Sequence, residues 1–506
     1  MPQAQYTRSG KLWYVGDGLI WDSRSANYQR PDMPLECSSK LFVFNPQRHA
    51  AGVTARFFHI DRPPTQVELS VRPGEVECLE LAALSEIPHG QAFWIVVEAD
   101  MPVLPQACHE DFFQWDPVPD ALISPTPYPG PLEDETTWMA ADCFNLMPRK
   151  GWYEFETLTI LNPGKQSVQV RLTYSPMGGG VGEESVDIPA ERVTQINTWQ
   201  RFPVLQGAQG GPQVAVLRDH AIRVDATSPV IAQSTRRAHW TGIYGVIGAR
   251  SSIVAPLRHP GCTTWHYPGG SVDDSHVKPR REGLDVKWDL LFINNPDEAR
   301  PASCTLAFHH PDGSVTASEP MSVGPHVSGY AWLHRPPCLG THTHIDEPFG
   351  LTVKSDVPVI PEMCHAEFDN LQAPGAMGSV YLYPGPLTDE TTWWLGVGRR
   401  GGSDDDHTEW KQAYHLFNPG PKPVRAALSV LGIGAPVTHA VDIGAGAVVR
   451  VNASDISGIP MNVPFVVRAD ADGPFCAQAY GRTFSRGLPS TRGMYGLMGV
   501  PMKLED

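Results

Sequence analysis

The chain has 506 residues, with 39 Lys and Arg against 55 Asp and Glu, a formal net charge of −16 and a pI near 5.6. That acidic balance, with no basic stripe, excludes a nucleic-acid partner. No apolar run approaches the roughly 20 residues that cross a bilayer as a helix, which argues against membrane insertion.

In chain order the first marker is Trp13, in KLW. It is followed by LFVFNP around Asn45, the alternating VTARFFHI from residue 53, VELSVR at 67–72, and a closing MPVLPQACHEDF that contains His109. The phrase YPGPLEDETTW at 128–138 opens a second round, with LTILNP at Asn162, VQVRLTYS, VDIPAERVTQI and SPVIAQSTRRAH. CTTW at Trp265 opens a third, with LLFINNP at Asn295, CTLAFHHP and VPVIPEMCHAEF. YPGPLTDETTWW at 383–394 opens a fourth, with YHLFNP at Asn418, VRAALSVL, VDIGAGAVVRV and GPFCAQAYGRTF. The Trp-to-Trp intervals are 125, 127 and 128 residues. Self-similarity at a fixed period marks a tandem array.

The first and third rounds end in Cys-His, at Cys108-His109 and Cys364-His365. The second and fourth carry Arg after an Ala-Gln strand end. The order is therefore A-B-A-B. Apolar-polar alternation over four to eight residues predicts half-buried strands, and 47 Gly and 49 Pro between the runs punctuate short strands and exclude long helices. The prediction is an all-β chain of four β-sandwich or jelly-roll-like domains at 1–127, 128–257, 258–382 and 383–506. The N-terminal MPQAQYTRSGKLWYV lacks a signal-peptide apolar core, and the nine cysteines stand singly, without CxxC. Both predict a cytoplasmic chain with reduced thiols.

These markers together resemble the soluble sensory rhodopsin transducers. The second repeat carries the resemblance best, through TTW at 136–138, LTILNPG at 158–164, VRLTYSP at 170–176, VDIPAERV at 186–193 and SPVIAQSTRR at 228–237. The resemblance implies compact β-sandwiches that form homotetramers, so four tandem copies would make a pseudo-tetramer within one chain. It also implies a fold similar to carbohydrate-binding sandwiches. It brings no catalytic residues.

The residues themselves offer two candidate sets. In the A repeats, His59 and His309 follow a Phe on the same alternating stretch, while His109 and His365 precede the acids Asp111 and Glu367. His, His and carboxylate can hold a divalent metal such as zinc, or serve as acid and base. His59, His109, His309 and His365 are thus candidate metal ligands, and His109, Asp111, His365 and Glu367 candidate catalytic groups. In the B repeats, Gln233, Arg237, Trp240 and Tyr244, with Gln478, Arg482 and Tyr495, could read hydroxyls, pair with an anion and stack on a sugar. The leading expectation is a binding protein for a sugar or similar small polar ligand, monomeric or homodimeric. The alternatives are an enzyme acting on a carbohydrate or a small acid, a hydrolase or lyase if on a carbohydrate, with or without metal assistance and with its site at an A–B joint, and a non-catalytic signalling adaptor.

Overall fold

The computed structural model describes residues 10–25, 36–112, 121–123, 127–133, 135–149, 152–176, 181–198, 218–240, 249–252, 255–256, 262–272, 285–369, 375–385, 387–388, 390–402, 408–485 and 491–501. Among them there is no α-helix; the chain is antiparallel β-structure with short 3-10 turns. Apart from two five-residue segments, it divides between residues 258 and 259 into two compact units, each holding an A and a B repeat.

The first repeat shows how the sequence builds a sheet pair. Its strands are β1 (Leu12–Leu19), β2 (Glu36–Phe44), β3 (Ala51–Phe58), β4 (Thr65–Val71), β5 (Val76–Glu80), β6 (Ala92–Ala99), β7 (Leu104–Phe112), β8 (Ala121–Ile123) and β9 (Tyr128–Pro129). One sheet runs β4-β3-β6-β1-β9 and the other β5-β2-β7-β8. Period-two alternation decides which side chains are inside: Ala51, Val53, Ala55 and Phe57 of β3 are buried, and Gly52, Thr54 and Arg56 between them are less so. Each fully buried Val or Phe contributes about 1.5–3 kcal/mol.

The second repeat copies this plan with β10 (Thr137–Arg149), β11 (Trp152–Asn162), β12 (Val168–Pro176), β13 (Gly182–Ile188), β14 (Arg192–Asn197), β15 (Arg218–Ala226), β16 (Ile231–Trp240), β17 (Ala249–Ser252) and β18 (Ala255–Pro256). Its two sheets join where β10 pairs with β11, at Leu146↔Glu154 and Arg149↔Trp152. The third repeat again forms two sheets, of six and four strands, and the fourth two of five strands each.

Two sequence markers become structural devices. The Asn of each Asn-Pro turn is wholly buried. Asn45 Nδ2 donates to His49 O and Val71 O, both at 2.8 Å, and its Oδ1 accepts from Gln47 N. Asn162, Asn295 and Asn418 make the same clamp on Gln166, Arg300 and Lys422. A side-chain amide thus substitutes for backbone partners where Pro or a turn breaks the ladder. The Trp signposts are core: Trp13, Trp138, Trp265 and Trp393 are at most 3% exposed.

Each opening Trp pairs with the Pro that closes its own repeat: Trp13↔Pro129, Trp138↔Pro256, Trp265↔Pro384 and Trp393↔Pro501. The Tyr-Pro of each long echo therefore belongs by hydrogen bonding to the repeat before it, one or two residues past the limits of 127 and 382 read from the sequence. The echo is held by one clamp in both places. Tyr128 donates to Glu135 (3.1 Å) and Tyr383 to Glu390 (2.9 Å). Each Tyr ring also meets the next repeat's Trp edge to face, at 5.2 and 5.0 Å.

In the first unit, the larger sheet of the A repeat and the smaller sheet of the B repeat share one core. Tyr14, Phe58, Trp94 and Val96 cluster with Leu158, Ile160 and Leu161, and Trp94 Nε1 donates to Thr159 Oγ1 at 3.2 Å. In the second unit the rings of His309 and Phe417 meet at 4.7 Å across the corresponding faces.

Candidate functional site

Six residues before each clamping Asn, every repeat buries a polar side chain: Ser39, Glu156, Asp289 and Gln412. Strand register sets a fixed partner opposite each one. The pairs are Ser39↔His109, Glu156↔Arg236, Asp289↔His365 and Gln412↔Gly481. One slot of the fold is therefore filled by four chemistries.

In the first repeat Ser39 Oγ lies 2.8 Å from His109 Nδ1, and His109 Nε2 lies 2.6 Å from Asp111 Oδ1. Cys37 stands opposite Asp111. His109 and Asp111, two apart on β7, share a face, as the pleat requires. Ser39, His109 and Asp111 are at most 1% exposed. In the third repeat Asp289 Oδ1 lies 2.7 Å from His365 Nδ1, while its Oδ2 accepts from Ser271 N at 2.7 Å. The Tyr480 ring of the fourth repeat reaches this pair, 5.5 Å from the His365 ring; its hydroxyl bonds to that of Tyr267 and donates to Gly269 O. Burial, with Tyr480 and Asp289 nearby, pushes the Tyr267 hydroxyl far above its ordinary pKa.

In the second repeat Glu156 accepts from Ser234 (2.6 Å) and Thr198 (3.0 Å), and lies 3.1 Å from His220 Nε2. Burial acts to raise its pKa, but the charge and hydrogen bond of His220 and the bonds from Ser234 and Cys143 outweigh it and hold the carboxyl below its ordinary value. Beside it Arg236 donates to Asp142 at 3.0 Å, with both side chains buried. A buried ion pair of this kind holds geometry more than it stabilises.

The expected metal ligands do not form one set. His59 Nε2 bonds Thr65 Oγ1 at 2.9 Å, and burial, with Arg62 nearby, pulls its pKa down to about 4. His309 bonds Thr352 Oγ1 and Gly446 O. Among the described residues, two groups place three ligand atoms within 4.8 Å of one another. These are Cys37, His109 and Asp111, and Cys143, Glu156 and His220; neither contains His59, His309 or His365.

The B-repeat candidates divide. Gln233, 2% exposed, packs so closely on Gly16 that a Cβ there would come 2.1 Å from its Oε1, and it donates to Thr235. Gln478 is wholly buried, and a Cβ on Gly269 would lie 3.0 Å from its Oε1. Tyr244 lies outside the described residues, as do the side chains of Arg237, Trp240, Glu367 and Tyr495. Arg482 lines a cavity of about 480 Å³ in the fourth repeat, with Arg400, Lys411, Arg450 and Trp410. Four cations against one carboxylate, Glu409, surround this space in a chain of net charge −16. Trp410 is held by Arg399, whose guanidinium lies 5.5 Å from its ring centre.

Sequence reasoning missed Glu156, His220, Asp142 and Arg236, together with Arg400 and Arg450 of the cavity. The buried slot had a readable signal, a polar residue six places before each clamping Asn. The cavity had none, because strand and loop segments far apart in the chain build it.

No protein-family model matches the chain, and no curated protein matches it. Among solved structures, the Thermotoga maritima 1070 protein is 22% identical, covering 24% of this chain and 94% of its own, with a TM-score of 0.20. The Anabaena sensory rhodopsin transducer is 19% identical over 19% of this chain and 85% of its own, with a TM-score of 0.16. A tetra-tandem repeat from the extending region of a large adhesion protein is 10% identical over 93% of this chain and 96% of its own, with a TM-score of 0.10.

Proposed function

We propose that the chain is a binding protein for a small, anionic, sugar-like ligand such as a sugar acid, taken up by the cavity of the fourth repeat. The observation that carries this reading is the grouping of Arg400, Lys411, Arg450 and Arg482 around about 480 Å³ beside Trp410. That volume is in the range of small-molecule sites. Guanidinium forks suit a carboxylate, and an indole offers a face for a sugar ring. Glu409 and Gln412 add acceptors for hydroxyls.

The pairs that acid–base catalysis would use, His109 with Asp111 and His365 with Asp289, are at most 1% exposed and already bonded to each other. Their placement supports a structural role, which favours binding over turnover.

A thermal-shift screen of sugar acids against the matching neutral sugars tests the reading. A ligand that binds only the folded state raises the melting temperature. Sugar acids should raise it and Arg482→Ala should remove the rise. A panel with no shift, or a shift indifferent to Arg482, overturns the proposal.

A further inference from the structure

Opposite each other in the sheet that carries the opening Trp, three of the four repeats place Gly and Phe: Gly18↔Phe93, Gly270↔Phe349 and Gly398↔Phe465. The Phe ring lies over the Gly so closely that a Cβ would come 2.1–2.8 Å from it. This is ordinary apolar packing. The second repeat alone breaks the pattern, placing Cys143 opposite His220. Its facing sheet supplies Glu156 to the same spot. All three side chains are wholly buried. Exchanging an apolar pair for thiol, imidazole and carboxylate costs desolvation energy, which the bonds of Glu156 to Ser234, Thr198 and His220 work against.

We propose that Cys143, Glu156 and His220 form a three-ligand zinc site inside the second repeat, with the fourth tetrahedral position left to a water. Their ligand atoms lie within 4.8 Å of one another. Thiolate, imidazole and carboxylate are the donors zinc takes, at about 2.0–2.3 Å. Two N or O ligands of one tetrahedral zinc stand about 3.3 Å apart, and His220 Nε2 to Glu156 Oε2 is 3.1 Å. Ser234 donates to Glu156 Oε1 and Thr198 to Oε2, and together they fix the carboxylate's orientation, as outer partners of metal ligands do.

The other three-ligand group fails the same measure. His109 Nε2 and Asp111 Oδ1 are 2.6 Å apart, too close for two ligands of one ion, and Ser39 engages the remaining ring nitrogen. That group is a hydrogen-bond relay.

Zinc takes Cys143 as thiolate and His220 as neutral imidazole, so the Cys143 thiol gives up its proton to solvent when Zn²⁺ enters. The site is closed in the folded repeat, so loading belongs to folding.

The test is to unfold the full chain in chelator, refold it with zinc or cobalt, remove free metal and measure metal content and absorption. The expected result is one zinc per chain, lost in Cys143→Ser while circular dichroism remains native. The cobalt form should show a thiolate-to-cobalt charge-transfer band. Wild type that refolds without retaining zinc, or Cys143→Ser that retains it undiminished, overturns the proposal. If Cys143→Ser does not fold, the cobalt spectrum of wild type decides: a thiolate band sustains the site, and cobalt bound without one removes Cys143 from it.

Discussion

The hydroxyls of Tyr267 and Tyr480, 213 residues apart, hydrogen-bond to each other in a wholly buried setting where Tyr480 also donates to Gly269 O. Tyr480 belongs to the fourth repeat and Tyr267 to the third, so this bond ties an A repeat to its B partner. Removing one hydroxyl leaves the other buried and short of a partner, which costs about 1–3 kcal/mol. Tyr480→Phe should lower the denaturant midpoint accordingly. The double variant Tyr267→Phe with Tyr480→Phe should lose less than the sum of the single variants, because neither hydroxyl is then left behind. Additive losses would show that the two hydroxyls do not act as a pair.

The clamping Asn residues give a second test. Asn418 donates to Lys422 O and Gly444 O and accepts from Gly420 N. Asn418→Ala abandons these groups at a wholly buried position and should cost about 3 kcal/mol. Asn418→Asp should do no better, since a carboxylate cannot donate to two carbonyls. A midpoint within error of wild type for either variant would refute the clamp.

Acid should weaken the fold before the carboxylates titrate. Burial pulls His59 and His309 down to about 4 and His266 down to about 3, against an ordinary 6.5; Arg62, His310 and His309 respectively act in the same direction. Between pH 6.5 and 4 the unfolded chain binds protons that these side chains refuse in the native state, so stability is complete above 6.5 and falls as pH drops through that window. The urea midpoint should be lower at pH 5 than at pH 7.5, and His59→Gln should narrow the difference. A midpoint that is flat or rises on acidification contradicts this.

Ligand binding in the fourth repeat should carry the mark of its cations. Arg450→Ala combined with Arg482→Ala should weaken sugar-acid binding at least about tenfold, since a hydrogen bond to a charged group contributes roughly 1.5–3 kcal/mol. Wild-type binding should weaken as salt rises. Titration calorimetry of both proteins at two salt concentrations reads both effects, and salt-insensitive binding would count against the guanidiniums.

The fold was legible because its signals are local. Alternation in VTARFFHI, the Asn before each turn and the Trp at each start are set by the two-residue period of a strand and by what a turn demands. His109 and Asp111 were legible as a pair for the same reason, being two apart on one strand. Glu156 with His220 was not, because 64 residues separate them and only the facing of two sheets brings them together. His59, just past β3 of one sheet, and His109, on β7 of the other, each have their own hydrogen-bond partner, an arrangement that sequence spacing alone does not disclose.

Because the last strand of each repeat lies beside its first, at Trp13↔Pro129 and its three counterparts, a repeat begins and ends in the same place. Copying such a segment head to tail demands no new crossover and no long connector. From Pro129 to the start of the next strand at Thr137 is a step of eight residues. Growth by duplication is therefore built into the strand order, and the seam between repeats is where a cut or an insertion would leave each repeat's own strand pairing whole.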